Sequence, residues 1–363
     1  MERILCYGND AVGWGAVFAG CEAFFGYPIT PQNEITEWFA REYPKRGKVF
    51  LQTQSEIGTI SMIYGAAATG IRVMSSTSSP GWSLMLEGIS HLVNAELPCV
   101  IVDVQRGGPG MGTTQHSQMD YTSVTKGGGH GGYKHIVLAP STAQQNGDYV
   151  QSAFYLADKY RNPVIMISDS IVGQMMEPFE MKALDFDPLP EKGWALTGKE
   201  NRANGERNMV QCGQGLFFEP PHIPNYGALL AHLDNKFKEM EKSEVKFESY
   251  FIDDAELILV AYGYTARVSR EAINDARNEG LKVGLIQPIT LWPFPSQIIR
   301  EKAGEGVKFL VVEDSLGQLV EDVKVAIAER TEVFFVGALS RHNPTPGGFI
   351  LPHIVLEKIK EIV

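Results

Sequence analysis

At 363 residues, 44% hydrophobic and 21% charged, the chain has a globular balance and is long enough for two or three cores. Its formal net charge of −11 excludes nucleic acid and anionic membranes as main partners, since both want a basic footprint. The four cysteines, Cys6, Cys21, Cys99 and Cys212, form no C-x-x-C pair, so no zinc site or iron–sulfur ligand set is expected, and no metal site of this chain's own. Three of them stand in apolar surroundings, which fits a reducing, cytoplasmic setting. The opening Met1-Glu2-Arg3-Ile4-Leu5 is too short for a signal peptide, and no apolar run reaches membrane-spanning length.

In chain order, residues 3–7 predict a strand, followed at Gly8-Asn9-Asp10 by a helix N-cap and a helix with Val12, Val17, Phe18 and Cys21 on one face. A second strand, 24–27, ends in Tyr27-Pro28-Ile29-Thr30-Pro31. The two prolines fix φ there and exclude helix, so Thr30 is presented on a stiff loop. Strands are expected at 49–52, 73–75, 99–104, 135–138 and 164–167, with helices from Gln54-Ser55-Glu56 onward, at 82–92 and at 148–159. This alternation predicts one doubly wound domain over residues 1–181.

Residues 182 to about 226 show no periodicity and hold Pro188, Pro190, Pro220, Pro221 and Pro224, so a linker is expected. The stretch 229–250 reads as an amphipathic helix with Leu230, Leu233, Phe237 and Met240 on one side, closing a linker unit of 182–250. Within 251–363, strands at 257–261, 282–286, 309–312 and 333–336 alternate with helices at 265–278 and 319–329. That spacing predicts a second parallel sheet with right-handed crossovers. The fold class is therefore α/β, with two doubly wound, mostly parallel sheets.

In such a sheet ligands bind along the carboxyl ends of the strands. Thr30, Glu56, the Ser75–Ser79 run and Arg106 all stand at or near those ends and should meet around one crevice. Glu56, in the first turn of a helix, reads either as a capping carboxylate or as an acid–base group facing the crevice. Arg106 enters Gly107-Gly108-Pro109-Gly110-Met111-Gly112, and its planar fork suits a carboxylate; the other reading is a surface ion pair. Thr30 could donate a hydroxyl to the same ligand or only stabilise its turn. The Ser run could hold an anion or be a plain polar turn. The Gly-rich loop departs from the dinucleotide fingerprint, because Pro109 removes an amide and the spacing is not G-x-G-x-x-G. His116 and His130, in loops near the same edge, lack any partner visible in sequence.

Together, Gly26-Tyr27-Pro28-Ile29-Thr30-Pro31, Ser55-Glu56, Gly65-Ala66-Ala67, Thr77-Ser78-Ser79-x-Gly81 and Gln105-Arg106-Gly107-Gly108-Pro109 resemble the α subunit of 2-oxoacid:ferredoxin oxidoreductases. The likeness continues through Val260-Ala261-Tyr262-Gly263, Pro288-Ile289-Thr290-Leu291-Trp292-Pro293-Phe294-Pro295 and Val312-Glu313, which resemble the family's transketolase C-terminal-like domain. Residues 25–33, 126–130, 158–163 and 339–346 are most similar to the branched-chain, 2-oxoisovalerate (3-methyl-2-oxobutanoate) type.

The resemblance implies a thiamine diphosphate enzyme of anaerobic metabolism that oxidatively decarboxylates a 2-oxoacid. Coenzyme A would be the acyl acceptor and ferredoxin the electron acceptor. It implies that residues 1–181 hold the cofactor's aminopyrimidine, through Pro28, Ile29, Glu56, Ser78 and Ser79. Glu56 would hydrogen-bond the pyrimidine nitrogen and promote the imino tautomer, and Thr30 and Arg106 would contact the substrate. One departure is local: relatives often carry Gly-Pro-Ser-Thr-Gly where this chain has Gly108-Pro109-Gly110-Met111-Gly112, which has no side-chain hydroxyl. The chain has no Gly-Asp-Gly followed by Asn at metal-binding distance. A β subunit is therefore expected to hold Mg²⁺ and the diphosphate, with a ferredoxin-like subunit carrying the iron–sulfur clusters and a γ-type subunit beside them. Within the family, pyruvate or 2-oxoglutarate remain alternative substrates. A non-catalytic scaffold or a nucleotide-binding module on the same fold is a reading of another class.

Overall fold

The computed structural model describes residues 3–198, 225–340 and 347–363. Cys212, residues 199–224 of the expected linker and 341–346 of the stretch 339–346 lie outside the described residues. The first half runs β1 (Arg3–Tyr7), α1 (Gly8–Phe18), β2 (Ala23–Gly26), α2 (Asn33–Glu42), β3 (Val49–Gln52), α3 (Glu56–Ala68), β4 (Val73–Thr77), α4 (Ser79–Asn94) and β5 (Val100–Gln105). It continues with α5 (Tyr121–Thr125), β6 (Ile136–Leu138), α6 (Ala143–Tyr160), β7 (Val164–Asp169), α7 (Ser170–Gln174) and β8 (Met176–Glu180). The second half comprises α8 (Tyr226–Ser243), β9 (Phe247–Tyr250), β10 (Leu257–Val260), α9 (Gly263–Asn278), β11 (Val283–Pro288) and β12 (Thr290–Trp292). It ends with α10 (Ser296–Gly304), β13 (Lys308–Val312), α11 (Leu319–Ile327), β14 (Val333–Val336) and α12 (Pro352–Ile362).

The architecture is α/β with two mostly parallel sheets. The first has the order β12-β6-β7-β5-β4-β2-β3 and the second β14-β13-β10-β11-β9. In the first, the chain steps from β2 outward to β3 and then returns to β4 on β2's other side. That reversal opens a crevice outside the carboxyl ends of β2 and β4. Along β5 the apolar residues divide by parity: Val100, Val102 and Val104 join a core with α1, α2 and α6, while Ile101 faces a core with α3 and α4. Strands covered on both faces need such near-continuous apolar runs.

Among the elements that differ from the sequence expectation, three decide how the sheets are built. The strand 3–7 lies outside the seven-stranded sheet, pairing antiparallel with β8, Arg3 opposite Glu180 and Tyr7 opposite Met176. The helix expected to reach residue 250 stops at Ser243, because the buried Glu244 turns inward to accept from the Lys159 ammonium and the Tyr160 hydroxyl, each at 2.6 Å. The residues beyond it form β9, an antiparallel edge of the second sheet. Thr290–Trp292, unassigned in sequence because prolines flank it, is β12; it leaves the second half of the chain and pairs antiparallel with β6. One apolar core accordingly runs from Trp82, Met85 and Ile101 to Ile258, Ile286 and Phe309.

Beyond β13, Glu313 is fully buried and its carboxylate accepts from the backbone N–H groups of Gln318, Leu319 and Val320 at 3.0 Å each. The Ser315 hydroxyl donates to it at 2.8 Å. The N-terminus of α11, a natural anion seat, is thus filled by the chain's own carboxylate.

Candidate active site

The turn after β2 is pinned by Gln32, which is fully buried. Its amide donates to the Tyr27 carbonyl at 3.1 Å, and its carbonyl oxygen accepts from the Thr36 and Ser76 hydroxyls. This clamp sets the position of Thr30, whose hydroxyl accepts from Asn33 Nδ2 at 3.1 Å. Pro28 is exposed and Ile29 half-buried beside it, and neither side chain carries a polar group.

At the end of β5, Arg106 is only 7% exposed. One guanidinium nitrogen donates to the Thr30 carbonyl at 2.9 Å and another to the Met111 carbonyl at 2.7 Å, while Nε is buried without a partner. Both acceptors are backbone carbonyls. A surface ion pair is therefore not the role of this residue, and the structure joins Thr30 to Arg106 directly. The Gly-rich loop closes on itself, Thr113 N–H donating to the Gly107 carbonyl at 2.7 Å. At Gly112, with φ +59°, a Cβ would stand 1.7 Å from that carbonyl, so the glycine serves the tight turn.

Glu56 is the first residue of α3, held there by Ser55, whose hydroxyl accepts from Gly58 N–H at 3.2 Å. The capping is done by Ser55. Glu56 itself is 5% exposed and its carboxylate has no hydrogen-bond or ion-pair partner among the described residues. Its Oε1 and the Thr77 hydroxyl lie 2.5 and 2.2 Å from the point a Cβ on Gly81 would occupy. A residue without a side chain is what lets α4 begin against this carboxylate. Ser78 and Thr77 present buried hydroxyls without partners. Ser79 accepts from Arg106 N–H at 2.9 Å and donates to Asp120.

The sequence reading missed two acids and one linking network. Asp103, fully buried on β5, meets Asp120 carboxyl to carboxyl. A lone acid inside Val100–Gln105, an otherwise apolar buried strand, was the signal for it. Gln118 donates to the Tyr262 carbonyl at 2.8 Å and accepts from Asp314 N–H at 2.9 Å, tying this edge to the second sheet. His116 does have a partner, Asp314, on that second sheet. His130 stands apart, lining a cavity of about 590 Å³ between α4, its own loop and α8.

The family follows from matches along nearly the whole of this frame. A family model described as pyruvate flavodoxin/ferredoxin oxidoreductase, thiamine diphosphate-binding, covers residues 14–227, and one described as pyruvate:ferredoxin oxidoreductase core domain II covers 255–347. This chain belongs to the 2-oxoacid:ferredoxin oxidoreductases. Ketoisovalerate oxidoreductase subunit VorB of Methanothermobacter thermautotrophicus is 45% identical over 362 residues, 100% of this chain and 98% of the relative. The 2-oxoglutarate synthase subunit KorA of Methanothermobacter marburgensis is 36% identical, with 99% and 98% covered. Both are subunits of multi-subunit oxidoreductases, as family members of this type are. Among solved structures, 2-oxoglutarate:ferredoxin oxidoreductase from Magnetococcus marinus, with 2-oxoglutarate, coenzyme A and succinyl-CoA bound, superposes with a TM-score of 0.84 at 28% identity. The match covers 99% of this chain and 65% of that one. A split-gene transketolase, at TM-score 0.57, 14% identity and 98% and 95% coverage, shares the fold alone.

Proposed function

We propose that the chain is the α-type subunit of a complex that oxidatively decarboxylates a branched-chain 2-oxoacid, 2-oxoisovalerate, to its acyl-CoA and CO₂, with electrons passed to ferredoxin. The observation that carries it is the full-length 45% identity to VorB. Arg106, a buried cation whose guanidinium makes its hydrogen bonds to backbone carbonyls and no direct ion pair among the described residues, supports the substrate's charge. It would bind the oxoacid carboxylate, with Thr30 held beside it by the bond to Thr30's carbonyl. Among Thr30, Glu56, Ser78, Ser79 and Arg106 there is one cation, which suits a monocarboxylate; 2-oxoglutarate would require a second.

The residues present fit an aminopyrimidine. Glu56 offers an unpartnered carboxyl, Gly81 leaves room over it, and Ser78 has a free buried hydroxyl, while Pro28 and Ile29 supply an apolar edge. Bound thiamine diphosphate would supply the carbanion chemistry of decarboxylation. Glu56 would hold and return the ring-nitrogen proton, and Arg106 and Thr30 would orient the oxoacid. We assign Mg²⁺ and the diphosphate to a β-type partner and the iron–sulfur clusters to a ferredoxin-like one, with a γ-type subunit completing a cytoplasmic complex. We also read residues 1–181, 182–250 and 251–363 as pyrimidine-binding, linking and C-terminal units.

The test is reduction of a one-electron dye by the chain alone and with its co-purified partners, across a panel of 2-oxoacids. The expected result is a folded, inactive single chain and a complex whose kcat/KM is highest for 2-oxoisovalerate. Turnover by the single chain would overturn the split site. A preference for pyruvate or 2-oxoglutarate would overturn the substrate.

A further inference from the structure

Behind Arg106 lie two carboxyl groups that substrate binding does not use. On adjacent strands Thr77 of β4 stands level with Asp103 of β5, both toward the α3 and α4 side. Asp103 is 0% exposed, and neither of its oxygens has a partner of normal hydrogen-bond geometry among the described residues. Its neighbour is the Asp120 carboxyl, at the start of α5. Asp120 is fixed in turn: its backbone N–H donates to Gln105 Oε1 at 3.3 Å, and Ser79, whose hydroxyl it accepts, is bonded to the backbone of Arg106. The line Asp103–Asp120–Ser79–Arg106 is thus continuous. Two buried carboxylates in contact cannot both be ionised, and a proton held between them gives Asp103 the partner it lacks.

We propose that Asp103 and Asp120 share one proton and together form the counter-charge of Arg106, so that an anionic substrate arriving at Arg106 draws a second proton from solvent into the pair. This rests on the reading of Arg106 as the carboxylate site. In the empty site the pair carries one negative charge against one positive charge. A substrate carboxylate neutralises Arg106, and the pair's remaining charge loses its support.

The electrostatics agree in direction. Burial, then the charge of Asp120, drives the Asp103 carboxyl well above the usual range. Burial pushes Asp120 up to about 6, against the lowering by Ser79, Asp103 and Arg106. Taking away the Arg106 contribution moves Asp120 higher still, through the window just above pH 6. The groups facing the pair are Ser79 from α4, Arg106 and Gln105 at the end of β5, and the Tyr262 phenol from the second sheet, which donates to Gln105 Oε1 at 3.4 Å. Asp120 keeps partial solvent contact, which gives the proton its entry. Because binding and protonation are linked, the oxoacid should bind more weakly as pH rises.

Two measurements on the assembled complex test this. In infrared spectra without substrate at pH ~8, the carbonyl stretch of a protonated carboxylic acid should be present and lost on Asp103→Asn. The KM for 2-oxoisovalerate should rise by roughly tenfold from pH 5.5 to 8 if substrate shifts the pair by about one unit, with kcat changing less. Asp120→Asn should flatten that rise to under about threefold, since the second proton enters at Asp120 and an amide there does not titrate. A merely structural role would change KM by the same factor at every pH. Asp103→Asn, whose amide stands in for the protonated Asp103 and leaves Asp120 to titrate, should lose the infrared band and keep the rise. An acid band that survives Asp103→Asn, or a KM profile that keeps its wild-type slope in Asp120→Asn, overturns the proposal. If instead Arg106→Lys leaves KM unchanged, the Arg106 reading falls and takes the coupling with it, while the infrared band still reports the shared proton separately.

Discussion

At the scale of single residues, Glu56 and His135 show how burial is put to opposite uses. Glu56 is held at a helix N-terminus without a partner, so removing its proton-binding capacity should harm chemistry more than folding. Glu56→Gln is nearly isosteric and should leave cofactor affinity within the cost of one altered hydrogen bond, about 1 kcal/mol. The turnover of the complex should fall by roughly 10²–10⁴-fold. Exchange of the cofactor's thiazolium proton, followed by NMR in the holo-complex, separates this from slow electron transfer, and exchange at the wild-type rate would reduce Glu56 to a structural residue. His135 is fully buried, donates from Nε2 to the Val124 carbonyl at 2.6 Å, and packs edge-on against Trp82. Burial lowers its pKa to about 4, from an ordinary value near 6.5. Its folded pKa is depressed, so as pH falls from 6.5 toward 4 the unfolded chain takes a proton the folded one refuses. Stability is lost over that window, by roughly 3 kcal/mol for a shift of this size. Denaturant melts of wild type and His135→Gln at pH 7 and pH 4.5 should show the variant losing less; equal losses would contradict the assignment. Asp103 showed beforehand only as a lone acid in an apolar strand; its meeting with Asp120 was illegible, because 16 residues of strand and loop lie between them. Thr30, Ser79 and Arg106 were legible because each ends or follows a strand, and parallel strands bring their ends to one edge.

At the scale of elements, what the sequence announced were the units whose signals are local. The Pro28 and Pro31 turn, the helix start at Gln54-Ser55-Glu56 and the apolar strand runs all act within a few residues, and each stands where its pattern placed it. The missed elements are those decided by distant partners. β12 has three residues between prolines and becomes a strand only because β6 offers an open edge. β9 replaces the last turns of a helix because β11 pairs with it. Glu313 works at this scale too, as the anion on which α11 begins. Glu313→Gln turns an acceptor toward three backbone N–H groups into a group that is half donor. It should cost about 2–3 kcal/mol, seen as a drop in thermal midpoint. Since that helix terminus is already filled, ATP or NAD at millimolar levels should leave the wild-type midpoint unmoved. A clear nucleotide-dependent rise would restore the nucleotide-binding reading.

At the scale of the whole molecule, the two sheets are joined by more than a linker. β12 extends the first sheet from within the second half, and one apolar core passes between them. A fragment ending at residue 250 should therefore not behave as a stable, monodisperse domain. It should aggregate or give poorly dispersed NMR spectra, whereas adding residues 251–363 in trans should rescue solubility if the contacts suffice; a well-folded fragment would show that β12 is dispensable. The same strand imposes a timetable on biosynthesis. When residues 3–182 have left the ribosome, β6 is still an uncapped edge, and roughly 110 further residues must be made before Thr290–Trp292 emerges to cover it. At elongation rates of roughly 5–20 residues per second that is a wait of about 5–20 s. Throughout that interval the nascent chain displays a short parallel-sheet margin of Ile136, Val137 and Leu138 with nothing paired beyond it. Cells making this protein must shield that margin or outpace its neighbours, so its yield in a foreign host should depend on chaperones and synthesis rate more than on the stability of the finished fold.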